Sequence, residues 1–232
     1  MNYWHQFLWI IFPYIALTIF VIGHIFRYNT DQLGWSAKSS EFLEKKNLML
    51  GSILFHYGII FAFLGHVSGI LTPISIFEGL GVSRSSYHIM ALSGGLPAGI
   101  ATGLGIILLL TRRASIPRIS RQVEFIDWVS GILLLAVIGV GLYCTLVYTA
   151  RGLEFDYRTS IAPWFRSLFS FVPTPEYMID VPLAFQIHVI LAFLLFMIWP
   201  FTRLVHIWSL PLEYLGRNYI LFLSNIKKNK NQ

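Results

Sequence analysis

The chain has 232 residues and a formal charge of +6, with 56% apolar, 16% aromatic and only 12% charged residues, and a mean hydropathy of +0.66. That composition lies outside the soluble range and marks an integral membrane protein. The basic residues are scattered over short segments between long apolar runs, so the positive charge reflects membrane topology and implies no nucleic-acid partner. The one cysteine, Cys144, sits inside an apolar run, which excludes an intramolecular disulfide and makes it a small core residue.

Five stretches reach the roughly 20 apolar residues a helix needs to cross a bilayer. The first, Leu8 to Phe26, ends at "RYNTDQ", and nothing before Arg27 supplies the basic start of a cleaved signal peptide. The second, Leu48 to Thr72, contains "GSILFHYGIIFAFLGHVSG", which places His56 and His66 in a segment whose other ionisable group is Tyr57. The third, Ser86 to Leu110, carries Gly94, Gly95, Gly99, Gly103 and Gly105 and closes at "TRRASIPR". The fourth, Trp128 to Thr149, runs into "ARGLEFDYR". The fifth, Pro182 to Thr202, lies in "FQIHVILAFLLFMIWPFTRLVHIWS", with His188 inside it and His206 just beyond. None of the five contains Asp, Glu, Lys or Arg, and no internal repeat is visible. The expected fold is all-α: residues 1–225 form a single bundle of five transmembrane helices, and residues 226–232 a short basic tail.

Of the 17 Lys and Arg, all but Arg84, Arg151, Arg158 and Arg166 fall in the first loop, the third loop or the C-terminal side. The positive-inside rule therefore puts the N-terminus outside and the C-terminus in the cytoplasm. Span two then runs outward and span five inward. His66 lies six residues before the outer end of span two and His188 six residues after the outer start of span five, so their depths match. His56 and His206 match less well, with a mismatch of about 10 to 15 Å on straight helices. Pro200, between His188 and His206, is a place where a kink can absorb it. On a straight helix the 18-residue spacing puts His188 and His206 on one face, while the ten-residue spacing leaves His56 and His66 about 80° apart.

Two histidine pairs stacked between antiparallel helices are what two six-coordinate haems b require, one imidazole on each side of each iron and no open position for oxygen chemistry. The glycines of spans two and three, including Gly51, Gly58, Gly65 and Gly69, would admit a macrocycle or a neighbouring backbone. Arg203, three residues before His206, is a candidate partner for a haem propionate. His5, His24 and His88 read as ordinary packed or hydrogen-bonded residues. A transporter or channel is the rival class, but the spans offer no charged side chain to carry ions. A cytochrome b of another quinone-linked complex, such as a formate dehydrogenase, hydrogenase or heterodisulfide-reductase-like assembly, and a purely structural anchor stay open on these residues.

The segments "PYIALTIFVIGHIFRY", "LFHYGIIFAFLGHVSGILTP", "SGGLPAGI" and "PFTRLVHIWSLPLEYL" resemble the gamma subunit of membrane-bound respiratory nitrate reductase, a quinol-oxidising di-haem cytochrome b, over nearly the whole chain. The resemblance implies haem ligation by His66 with His188 at the outer site and His56 with His206 at the inner site. It implies oxidation of quinol, menaquinol or ubiquinol, near the outer haem. Electrons then pass inward to an iron-sulfur beta subunit and a molybdenum-containing alpha subunit that reduces nitrate in anaerobic respiration. The implied location is the cell membrane of a prokaryote. The quinol pocket falls on Gly65, His66, Gly69, Arg84, Tyr87 and His88. The family's quinol-site lysine is replaced by Ser86 in "VSRSSYHIMALSGG", so Arg84, Tyr87 or His88 is expected to supply that hydrogen bond. The tail "SLPLEYLGRNYILFLSNIKKNKNQ" reads as an interfacial helix on anionic lipid, or as a docking segment for the beta subunit.

Overall fold

The computed structural model describes residues 2–31, 34–35, 44–149 and 155–209, and among these the regular structure is all helical. Five helices are long and apolar enough to cross a membrane: α1 (Tyr3–Thr30), α2 (Lys46–Leu71), α3 (Arg84–Ser115), α4 (Phe125–Tyr148) and α5 (Leu183–Phe201). Each coincides with one of the five apolar stretches, three of which run one residue past a helix end. The tail and the boundary expected at residue 225 lie outside the described residues.

Local chemistry starts and stops these helices. The Ser83 hydroxyl accepts from the Ser86 backbone N–H at 3.1 Å and caps α3. Glu124 and Asp127 form a reciprocal capping box at the start of α4. Pro73 follows an extended Thr72 and ends α2. Three π-helical turns, Phe7–Ile11, Val67–Leu71 and Thr145–Thr149, lie at the ends of α1, α2 and α4 that charge counting places outside.

α2 packs along α3, α3 on α4, α4 on α5 and α5 on α1. Glycine makes the first of these contacts close. A Cβ on Gly58 would come within 2.6 Å of the Thr102 nitrogen, and one on Gly105 within 2.7 Å of the Phe55 Cα, so two backbones meet there. Gly65, Gly94 and Gly95 instead face open space. One buried cluster joins Trp9 and Ala16 of α1 to Phe193 of α5 through the short helix Ile161–Phe169, whose Trp164 indole donates to the Trp9 carbonyl at 2.9 Å. A second joins Ile106, Leu134, Ile138 and Leu195 of α3, α4 and α5. Cys144 is buried, as a small core residue should be.

α5 does not continue straight to His206. Its α-helical turns end at Ile198, a 3₁₀ turn covers Trp199–Phe201, Thr202 is extended at φ −112° and ψ 175°, and a second 3₁₀ stretch spans Arg203–Ser209. The expectation that His188 and His206 share a face of one helix therefore fails, because Pro200 and the extended Thr202 take the chain off the helix axis. That same break removes the depth mismatch expected between His56 and His206.

Candidate functional site

The four histidines singled out from the sequence meet as two pairs between α2 and the α5 segment. The rings of His66 and His188 have centroids 6.1 Å apart and planes 25° from parallel. The rings of His56 and His206 are also 6.1 Å apart, at 70°. α2 and α5 are not packed helix against helix, so the rings bridge a gap that backbone contact does not close.

Hydrogen bonding fixes which ring nitrogen is free. The Nδ1 atoms of His56, His66, His188 and His206 lie 2.8, 2.7, 3.0 and 2.6 Å from the carbonyl oxygens of Ser52, Ala62, Val137 and Arg203. A carbonyl only accepts, so each Nδ1 carries the proton and donates, and each Nε2 keeps its lone pair. This is the arrangement by which a second shell orients a metal-ligating imidazole. A metal bonded to one imidazole nitrogen on each side at about 2.0 Å sets the ring centroids roughly 6 Å apart, which the measured separation meets at both pairs. Each pair offers two imidazole nitrogens, a donor set that suits an iron whose other four ligands come from a macrocycle.

His24 also sets Nδ1 on a carbonyl, that of Phe20 at 2.6 Å, but its Nε2 is engaged, accepting from the Trp208 indole at 3.1 Å. His5 uses Nε2 instead, 2.8 Å from the Pro175 carbonyl. Support for His188 comes from α4, where a Cβ at Gly141 would fall 2.8 Å from the ring carbon Cε1. Glycine is what lets the imidazole lie against that helix.

Beside the His66–His188 pair, at the outer end by charge counting, a polar network forms. The Tyr87 and Tyr157 hydroxyls are 2.8 Å apart, and both crowd Gly69, where a Cβ would sit 2.6 Å from the Tyr87 oxygen. The Arg158 guanidinium lies 3.9 Å above the Tyr87 ring and is bonded to Asp156 through Nε (3.0 Å) and Nη2 (2.8 Å). Arg84 reaches Asp156 at 3.5 Å with its side chain 72% exposed. Arg166 donates to the Ile70 carbonyl at 2.6 Å, satisfying an acceptor in the last turn of α2. His88 is half-buried and Ser86 exposed. Of the sequence-predicted pocket, Gly69 and Tyr87 are brought together, Arg84 joins them through Asp156, and Gly65 stays open. Burial raises the Asp156 carboxyl, but hydrogen bonds and charge from Arg158, with Arg84, pull it below the usual carboxylate range overall. Burial and the bond to Tyr87 push the Tyr157 phenol well above its ordinary value, so it stays protonated.

Sequence reasoning missed Asp156, Tyr157 and Arg158 as site residues, using only the charge of Arg158 for topology. The "FDYR" run near the start of the loop after the fourth span, an acid, a phenol and a base together, was the available signal. At the other end of the bundle, Arg203 Nη2 lies 2.7 Å from the buried Asp127 carboxylate, a partner the sequence gave no means to find.

The sequence profile of the family described as "Nitrate reductase gamma subunit" matches residues 5–225. The chain is 48% identical over 218 residues to the nitrate reductase gamma chain of Bacillus subtilis (strain 168), covering 94% of this chain and 97% of that protein. It is 35% identical over 222 residues to the respiratory nitrate reductase 1 gamma chain of Escherichia coli (strain K12), with 95% and 98% covered. It is also 37% identical over 217 residues to the nitrate reductase-like protein NarX of Mycobacterium tuberculosis (strain CDC 1551 / Oshkosh), covering 93% of this chain but 33% of that longer protein.

Proposed function

Because the chain belongs to the nitrate reductase gamma subunit family, we propose that it is a di-haem cytochrome b that oxidises quinol at the outer face of a prokaryotic cell membrane and delivers electrons to a cytoplasmic partner. The observation that carries this reading is the pair of 6.1 Å imidazole couples, each ring tied through Nδ1 to a backbone carbonyl. His66 and His188 would hold the outer haem b, and His56 and His206 the inner one. Haem b held by two imidazoles supplies one-electron transfer with no open coordination site.

The chain's own groups do the rest. Gly65, Gly69, Tyr87, His88 and Arg84 receive a quinol head beside His66 and supply the few polar contacts that a quinone ring needs. Tyr87 and Arg84 supply the hydrogen bonding and charge that the family's lysine, here Ser86, does not. The quinol gives up two protons to the outside and two electrons inward. Arg203, a quarter exposed and already on Asp127, would share its guanidinium with a propionate of the inner group. An iron-sulfur beta subunit receives the electrons on the cytoplasmic side and passes them to a molybdenum-containing alpha subunit for nitrate reduction.

The test is a pyridine haemochrome assay on protein made with ample haem, together with identification of the subunits that co-purify from membranes. Two non-covalent haems b per chain and an attached iron-sulfur subunit are expected. One haem or none would refute the di-haem reading.

A further inference from the structure

The break after Ile198 releases backbone carbonyls at the point where the chain turns away from the axis of α5, and one side chain collects them. Arg27, near the end of α1, donates from Nη1 to the Pro200 carbonyl at 2.8 Å and the Thr202 carbonyl at 2.9 Å, while Nη2 reaches the Gly34 carbonyl at 3.0 Å. Four residues before it, Gly23 lets Pro200 lie against α1, since a Cβ there would come within 2.8 Å of the proline ring. Between them His24 accepts from Trp208, at the far end of the Arg203–Ser209 turn. α1 therefore grips this turn at both ends, and Asp127 of α4 holds Arg203 from the other side. The Arg203 carbonyl in turn receives His206 Nδ1 at 2.6 Å.

We propose that Arg27 is a positioning residue for the His56–His206 pair: it satisfies the carbonyls freed at the α5 break, and so fixes the turn that brings His206 opposite His56. This rests on the di-haem reading only for what the pair holds, since the clamp is a property of the protein. The physical logic is that a 3₁₀–extended–3₁₀ path leaves carbonyls without helical partners in a low-dielectric region, where an unmet acceptor is costly. A cationic donor meets two of them at once and selects this path over a straight helix.

The experiment compares wild type, Arg27→Met and Arg27→Lys as full chains in the membrane complex. Hydrogen exchange across residues 199–209 reads the clamp itself. Arg27→Met should exchange there at least tenfold faster than wild type, and Arg27→Lys should restore most of the protection, because one ammonium can serve the two carbonyls that a single Nη1 serves. Electron paramagnetic resonance with haem counting reads the consequence. Arg27→Met should weaken or lose the signal that His206→Ala also removes, with the ratio of haem to chain falling from two towards one and the other signal unchanged. Unaltered exchange in Arg27→Met would overturn the proposal, as would equal loss of both signals without rescue by lysine. A wild-type chain holding fewer than two haems would instead refute the di-haem reading, and the exchange data would still decide the clamp.

Discussion

His66 and His188 lie with their rings 25° from parallel and 6.1 Å apart, and each turns its protonated Nδ1 onto a backbone carbonyl: Ala62 on its own helix for the first, Val137 on α4 for the second. One ring is thus oriented locally and the other by a neighbouring helix. If the two rings ligate one haem, as proposed, removing either should abolish the same haem. We expect His66→Ala and His188→Ala to lose one absorption and paramagnetic resonance signal in common, and His56→Ala and His206→Ala the other. An emptied cavity can loosen its neighbour, so partial loss of the second signal is expected, more in the inner-pair variants. Loss of different signals from His66→Ala and His188→Ala would break the pairing.

Gly69→Ala tests the outer network. The new methyl would displace the Tyr87 and Tyr157 hydroxyls that now converge on Gly69. Misplacing binding groups by about an ångström costs on the order of a hundredfold in rate, so quinol oxidation should fall between about tenfold and a hundredfold while both haem signals persist. Unchanged quinol kinetics would remove Gly69 and Tyr87 from the pocket.

Asp156 gives this network an acid limit. Its folded-state carboxyl is held below the ordinary range, so the stabilisation it contributes is present above the unfolded value of about 3.9 and is lost as pH falls through the lower folded value. Thermal stability of the detergent-solubilised protein should therefore drop below about pH 4 by more in wild type than in Asp156→Asn. Arg84→Ala should change stability by less than about 1 kcal/mol, because its ion pair is exposed. Arg158→Ala should cost more, since it removes both side-chain bonds from a partly buried carboxylate, leaving it the residue-158 backbone N–H and Arg84, and takes the cation from Tyr87.

Gly105→Ala probes the seam between α2 and α3. Its methyl would run into the Phe55 backbone, which cannot move without shifting the helix that carries His56. Overpacking of this kind costs about 1 to 3 kcal/mol. A lower unfolding temperature is expected, with early loss of the His56–His206 signal on heating. Gly139→Ala, whose Cβ would meet nothing within 4 Å, is the control and should not lower the unfolding temperature.

The sequence by itself determined the five spans and singled out the four histidines that meet in pairs. A segment's transfer into lipid depends on its own composition, and an imidazole at membrane depth stands out against Leu, Ile and Phe. Matched distances from the span ends were enough to pair His66 with His188, because both sit on regular helix. His56 and His206 were harder to pair, for their meeting depends on where α5 stops being a helix, and Pro200 signals a break without giving its direction. Only the tertiary structure decided that direction. The carbonyls freed there are met by Arg27 from α1, and the turn beyond is held by Asp127 from α4. The tyrosine pair over Gly69, with Arg158 and Asp156 behind it, was equally out of reach. Its members come from loops and helices far apart in the chain, and their distances follow from packing that no local pattern of residues encodes.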